Sequence, residues 1–258
     1  MQNLELAVSI AKKAGGVILE YFDSQTQQAT LKGDRTIVTK ADLEINRMVI
    51  EEIQNNTDGH GVVGEEQSLA TDSEYQWVVD PIDGTAMFNF GIPTNVFALA
   101  LTKDKLPVLA VVFDPYLNKL YVADEKTATC NNQPIQCNTK QLQKDPHMYI
   151  GICSDAKGDF NLHEVARQLS SDYGVKFVSF RSAIYMDMLV ASGKLCANIS
   201  YGGHGYDCIG AHIVKLAGGQ YSDLNGNAIN LLGENQGYFS SNGLIHSEML
   251  EIIKSSKQ

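Results

Sequence analysis

Basic residues are in short supply in this chain. Lys and Arg number 20 against 30 Asp and Glu, a formal net charge of −10. A field of that sign repels a phosphate backbone and argues against nucleic-acid partners. Long apolar runs are missing as well. None approaches the roughly 20 residues that a membrane helix needs, so no membrane span is expected. The opening Met1-Gln2-Asn3-Leu4-Glu5 lacks the basic start of a secretory signal, and a cytoplasmic location is the expectation. Cysteine is sparse and unpatterned. Its five copies, at 130, 137, 153, 196 and 208, are odd in number and include no Cys-x-x-Cys, which argues against a disulfide framework and a zinc site and predicts buried free thiols. There is no internal repeat, no low-complexity tract and no flexible linker.

What is present is enough apolar material for a folded enzyme. With 258 residues, 44% of them hydrophobic, the chain can bury one large core or two fused smaller ones. Leu4, Ala7, Val8, Ala11, Ala14, Ile18 and Tyr21 recur at helical spacing, and a second helix is expected over Thr39 to Ile53. Short β-rich runs follow at Gly61 to Gly64, Gln76 to Asp80, Val96 to Leu101, Val108 to Phe113 and Leu120 to Ala123, predicting a mostly antiparallel sheet. After Asp145-Pro146 strands and helices alternate: Met148 to Ile152, a helix near Leu162 to Leu169, Val175 to Phe180, a helix near Ala183 to Ser192, Leu195 to Ile199, and a helix from Asp207. The pattern is α/β. Two parts are expected, 1–146 and 147–258, packed closely as one catalytic unit with the site between them.

The most informative stretch is Asp80-Pro81-Ile82-Asp83-Gly84-Thr85. Trp77-Val78-Val79 reads as a buried strand that Pro81 ends, holding two carboxylates on a rigid support. Asp80, the Ile82 carbonyl and Asp83 are oxygen donors of the kind a hard cation such as Mg2+ takes. Gly84 and Thr85 follow as backbone donors suited to phosphate. The same letters also spell a β-turn.

At this point the chain resembles the inositol monophosphatase family of Mg-dependent phosphatases, over nearly its whole length. Gly64-Glu65-Glu66 is similar to the family's Gly-Glu-Glu. The resemblance makes Glu65 a metal ligand that helps activate water. Ile37-Val38-Thr39-Lys40-Ala41-Asp42 resembles the segment whose aspartate pairs with the threonine of the Asp-Gly-Thr step, which implies an Asp42–Thr85 pair. Tyr206-Asp207-Cys208-Ile209-Gly210-Ala211 and Leu216-Ala217-Gly218-Gly219 resemble the segment holding the distal metal ligand, here Asp207. Asp223-Leu224-Asn225-Gly226 and Ser240-Ser241-Asn242 follow in family order. By itself Asp42 also fits a capping box, Glu65-Glu66 a solvated charge pair, and Asp207 a helix N-terminal acid. His204 is read as a support behind the metal ligands or as merely structural, since an oxygen-rich site suits Mg2+ rather than zinc. Cys208, beside Asp207, is expected to be open to oxidation or alkylation.

The resemblance implies a layered αβαβα sandwich of the sugar-phosphatase type and hydrolysis of a small phosphorylated polyol, sugar or metabolite by metal-activated water. Two to three Mg2+ ions are implied, held by Glu65, Asp80, Ile82, Asp83 and Asp207, with Glu65, Thr85 and Asp42 catalytic. Asp83, Gly84, Thr85, Ser182, Ala183 and Asp207 are implied to contact substrate. Li+ sensitivity and a possible homodimer come with the family. The cations also resolve a conflict, because four clustered acids would otherwise repel a phosphate ester.

The pocket departs from the family pattern. Ser200 stands seven residues before Asp207, where a sugar-binding glutamate is usual, and Arg181-Ser182-Ala183-Ile184 replaces Gly-Ser/Thr-Ala-Ala. Tyr206 replaces a tryptophan. Histidinol phosphate, fructose 1,6-bisphosphate and 3′-phosphoadenosine phosphates are therefore alternative substrates. Arg181 reads as a salt-bridge partner or as a neutraliser of a second anionic group. A regulatory protein-binding paralogue is the alternative of another class, against which the complete carboxylate set argues, since unpaired clustered acids repel one another. A two-carboxylate glycosidase is a third reading that Mg2+ dependence would exclude.

Overall fold

The computed structural model describes residues 2–22, 29–31, 33, 37–143, 145, 147–153, 159–200, 203–235 and 237–257. Pro146, at the expected boundary between the two parts, lies outside them. The chain opens with helix α1 (Gln2–Tyr21), a short antiparallel ribbon of β1 (Thr30–Leu31) and β2 (Ile37–Val38), and helix α2 (Lys40–Asn56). A seven-stranded sheet then runs in chain order through β3 (Gly61–Gly64), β4 (Tyr75–Asp83), β5 (Val96–Lys103), β6 (Leu106–Asp114), β7 (Lys119–Ala123), β8 (Ala128–Cys130) and β9 (Gln133–Pro134). It is antiparallel except between β3 and β4. Helix α3 (Thr85–Asn89) interrupts it after β4.

The remainder supplies β10 (Tyr149–Cys153), α4 (Leu162–Tyr173), β11 (Lys176–Val178), α5 (Ala183–Ala191), β12 (Ala197–Ser200), α6 (Ile209–Leu216), β13 (Gln220–Asp223), β14 (Tyr238–Ser241) and α7 (His246–Ser255). Its sheet is mixed, in the order β11-β10-β12-β14-β13. The first three strands are parallel, and β14 and β13 are antiparallel additions.

Both faces of the first sheet are covered, which is why β5 reads as an unbroken apolar run instead of an alternation. On one face Trp77, Val79, Phe97, Leu99, Leu101, Val111 and Phe113 meet Ala7, Ile10, Ala14 and Ile18 of α1 and Ala41, Ile45, Val49 and Ile53 of α2. Approach is close: a Cβ on Gly15 would fall 2.3 Å from the Phe113 ring. The opposite face carries smaller side chains, Val78, Val96, Ala98, Ala100, Ala110 and Val112, against Ile184, Met188, Ile209 and Ile213 of α5 and α6. Those two helices also cover one face of the second sheet, whose other face packs Ile150, Ala197, Ile199 and Phe239 on Val165 and Leu169 of α4 and Met249 and Ile253 of α7. The stack is α1/α2, sheet, α5/α6, sheet, α4/α7. This is the αβαβα sandwich.

Three local expectations are corrected. Pro81 does not end its strand, because β4 continues to Asp83. The strand expected over Val175 to Phe180 shrinks to Lys176–Val178, and the helix expected from Asp207 begins as a 3₁₀ turn, Gly205–Cys208, before α6. Among the described residues no helix is long and apolar enough to cross a membrane.

Candidate active site

The site forms where β4 absorbs a proline. Pro81 has no N–H for the ladder, and instead of stopping, the pairing slips. Asp80 lies opposite Ala98 and Asp83 opposite Val96, so three steps on β4 match two on β5. Such a bulge re-aims side chains, and both carboxylates end up buried, at 2% and 6% exposure. The chain then turns at Gly84, whose φ of 90° is left-handed. A Cβ there would fall 2.8 Å from the Ser182 Cβ and 3.4 Å from the Arg181 carbonyl oxygen, so glycine is required for conformation and for space. Arg181 is itself left-handed, at φ 55°, an uncommon state for a residue with a side chain.

Asp83 is fully seated. Its Oδ2 accepts from the Ser182 hydroxyl at 2.5 Å and from the Ile184 and Tyr185 amides at 2.7 and 3.3 Å, while Oδ1 accepts from the Ala183 amide at 3.2 Å. These donors are the first turn of α5, where unpaired amides and the helix dipole both favour an anion. Burial still outweighs them and raises the Asp83 carboxyl to about 6.

Asp80 has the opposite surroundings. Its Oδ1 is buried with no hydrogen-bond partner. Burial raises its affinity for a proton well above the ordinary carboxylate value, and the charges of Glu65, Asp83, Asp207 and Asp42 raise it further, in that order. Asp80 thus lies in the field of Asp83 on its own strand and of Asp42, Glu65 and Asp207 from three other segments. Glu65 is brought there by the loop after β3, where its amide donates to the Val79 carbonyl at 3.3 Å. That loop is pinned from α2 by the buried Asn46, whose Nδ2 donates to the Gln67 carbonyl at 3.0 Å and whose Oδ1 accepts from the Glu66 amide at 3.3 Å. Asp207 sits in the 3₁₀ turn that packs against β4, its Oδ2 accepting from the His204 amide at 2.6 Å. The His204 ring instead pairs with Glu234 at 2.7 Å and stacks on Tyr206, which is a structural role.

Both readings of Asp42 hold together. Oδ2 accepts from the Thr39 amide and hydroxyl at 2.8 and 2.5 Å, closing the capping box of α2, and Oδ1 faces the Thr85 hydroxyl at 3.4 Å. The same hydroxyl lies 3.0 Å from the Ile82 carbonyl. Burial lifts the Asp42 carboxyl to about 7 against the pull of the Thr39 bonds. Cys208 corrects an expectation. Its side chain is fully buried and burial holds the thiol well above its ordinary value, so it is closed to oxidant and alkylator alike. All five cysteines are free.

The donor set fits a hard divalent cation. It is all oxygen, it carries excess negative charge, and it includes the unpartnered Asp80 oxygen. Among the described residues no three acidic, histidine or cysteine side chains yet converge into a ready cage; the acids are near enough to repel and are tied to neighbours through Asp83 and Asp207. Sequence reasoning passed over Asn46, which is one polar letter in an amphipathic helix. It also took the Ser240-Ser241-Asn242 segment only as a resemblance, whereas Asn242 donates to Asn138 and to the Lys140 carbonyl, bracing the chain between the two sheets.

A family model described as the inositol monophosphatase family matches residues 2–258. The chain belongs to that family. Inositol monophosphatase 1 of Solanum lycopersicum is 29% identical across 90% of this chain and 88% of its own length. A histidinol-phosphatase of Chlorobaculum parvum is also 29% identical, across 97% and 96%. Among solved structures, the Thermotoga maritima IMPase superposes with a TM-score of 0.87 at 25% identity, covering 99% of this chain and 98% of that one. An IMPase/NADP phosphatase complexed with Mg2+ and phosphate superposes at 0.83 with 24% identity, covering 96% and 93%. The chain is thus a phosphatase of the inositol monophosphatase family.

Proposed function

We propose that this chain is a Mg2+-dependent hydrolase of small phosphate monoesters, its 1–146 and 147–258 parts forming one catalytic unit. The observation that carries the reading is the buried, unpartnered Asp80 oxygen among four further acids, an arrangement costly without a cation. Glu65, Asp80, the Ile82 carbonyl, Asp83 and Asp207 would hold the ions, two to three per site. When bound, Mg2+ neutralises the acids, polarises the phosphoryl oxygens and makes a water more acidic.

The rest is the work of the chain. Asp42 draws the Thr85 proton toward itself, which leaves a Thr85 lone pair free to orient the attacking water. Glu65, on the loop that Asn46 pins, accepts that water's proton. Gly84 permits close approach of backbone to the phosphoryl group, and the first turn of α5, with Ser182 and Ala183, holds Asp83 for the ester side. Positioning and charge supply most of the catalysis in phosphoryl transfer.

Substrate preference follows from Ser200. It is buried at the end of β12 and shares a face with Asn198 two residues earlier, since side chains alternate along a strand. Asn198 donates to the Ala183 carbonyl at 2.9 Å, which supports reading Ser200 on the α5 side of the sheet, toward the substrate. A carboxylate there would be worth about 1.5–3 kcal/mol to bound hydroxyls. Its replacement by serine makes inositol 1-phosphate a mediocre substrate and admits esters bearing a second anionic group, with exposed Arg181 beside the pocket.

A panel of inositol 1-phosphate, histidinol phosphate, fructose 1,6-bisphosphate and 3′-phosphoadenosine 5′-phosphate, assayed for phosphate release with Mg2+ and with chelator, tests both levels. Release in chelator would contradict the metal reading. A clear preference for inositol 1-phosphate that survives Ser200→Ala would contradict the pocket reading. Li+ at millimolar order is expected to inhibit by competing near Asp83 and Asp207; a flat response across a Li+ titration against Mg2+ counts against that. The family reading also extends to a cytoplasmic homodimer, which light scattering would show as twice the chain mass.

A further inference from the structure

Asp187 has no place in the chemistry above. It is a fully buried acid in the middle of α5, among Ile184, Met186, Met188 and Val190. Its Oδ1 accepts from the Ser240 hydroxyl at 2.6 Å and from Asn198 Nδ2 at 2.9 Å, and its Oδ2 from the Tyr238 hydroxyl at 3.0 Å. Three donors from β12 and β14 converge on one helical carboxylate. A residue that only filled space here would be apolar, since an acid removed from water gains stability only when its bonds are all made.

Two contacts carry this network to the candidate site. Asn198 also donates through Nδ2 to the Ala183 carbonyl at 2.9 Å, and the Ala183 amide is one of the donors that seat Asp83. On the other flank, a Cβ on Gly210 would fall 2.7 Å from the Asp187 Oδ2, so α6 closes on the carboxylate three residues after Asp207. One side chain thus abuts both the turn that holds Asp83 and the helix that starts behind Asp207.

We propose that Asp187 is a positioning residue for the cation site, fixing α5 and α6 so that Asp83 and Asp207 are presented together to the metal. The inference rests on the reading of that site given under Proposed function. Without the carboxylate, Asn198 loses one of its two acceptors and the Ala183 carbonyl loses a fixed donor. The first turn of α5 is then free to shift against β12. Misplacement by about 1 Å is enough to cost on the order of a hundredfold in rate.

Asp187→Asn keeps the volume but exchanges one acceptor oxygen for an N–H donor, so the Tyr238 or Ser240 hydroxyl must turn to accept and the network around Asn198 must rearrange. Mg2+ binding is followed without turnover by calorimetry, with the Mg2+-dependent rise in melting temperature as a second readout. The expected result is a Mg2+ midpoint raised about tenfold or more, the usual scale for groups that orient metal ligands, and a fall in kcat with little change in KM for the ester. Ile253→Val in the outer layer destabilises the chain and leaves the midpoint where it was. Combining Asp187→Asn with Asn198→Ala moves the midpoint no further than the larger single change, because the two act in one chain of contacts. A wild-type midpoint in Asp187→Asn, or single shifts that multiply in the double variant, overturns the inference. If Asp187→Asn does not fold, Tyr238→Phe removes one donor and keeps the carboxylate; a shift of a fewfold supports the inference and none overturns it. A wild-type chain indifferent to Mg2+ overturns the site reading and this inference with it. A responsive wild type with an unchanged variant overturns this inference alone.

Discussion

Asp80 and Asp187 are both carboxylates buried beside the central helical layer, and the chain treats them in opposite ways. Around Asp187 it supplies three donors, from Asn198, Tyr238 and Ser240. Around Asp80 it supplies further acids and leaves one oxygen with nothing. A buried charge costs several kcal/mol unless it is paired or bonded; both Asp187 oxygens are bonded within the chain, although Asn198 Oδ1 beside them has no partner, whereas one oxygen of Asp80 itself is left without a bond. The contrast separates a structural acid from a site, and it does so without reference to the family.

The contrast can be broken by neutralising each acid in turn. Asp80→Asn should reduce phosphate release by more than the roughly 10- to 100-fold typical of groups that merely orient ligands. In chelator the same variant should melt above the wild type, because an unpaired buried charge has been removed. A variant that melts below the wild type in chelator would show that Asp80 is satisfied in a way the contrast denies. Asp187→Asn should do the reverse and lose about 1–3 kcal/mol of stability with or without Mg2+, the cost of leaving a buried donor unpaired. Denaturant midpoints equal to wild type would mean the pocket is indifferent to its acid.

A pH series sharpens the same comparison at smaller scale. Burial holds the Asp187 carboxyl at about 7 against its three donors, above the roughly 4 of an unfolded carboxylate. Its contribution is therefore complete below about pH 4 and is lost as pH rises through 7. The stability gap between wild type and Asp187→Asn should be widest near pH 4, should shrink as pH rises from there, and should be smallest by pH 8. Of the described titratable groups facing Asp187, Tyr238 and Cys208 are held well above their ordinary values and Cys137 at about 12, while Asp83, across the turn of α5 and raised to about 6, titrates in the same window. A gap that widens with pH would contradict the assignment.

How much of this could be read from the letters depended on distance along the chain. The layered fold was legible because Ala7 to Ile18 and the apolar strands carry their period locally. Asp80, Asp83 and the glycine between strand and helix lie within one hexapeptide and were legible for the same reason. The bulge was not, because Pro81 alone predicts a stop, and continuation is decided by pairing with β5. Asn46 and Asp187 were illegible as polar letters, one in an amphipathic helix and one in an apolar helix; what defines them are partners about 20 and 11 to 53 residues away. Cys208 was misread because adjacency to Asp207 says nothing of the packing of α6 that buries it.

The central claim is that the acids around Asp80 await a cation and that the loaded site then takes phosphate. Titrating inorganic phosphate into the metal-stripped chain, with and without saturating Mg2+, and following the heat of binding tests it most directly. The account predicts phosphate binding in Mg2+ and none in chelator, with Asp80→Asn silent in both. Equal phosphate binding in chelator, or none in saturating Mg2+, would contradict it.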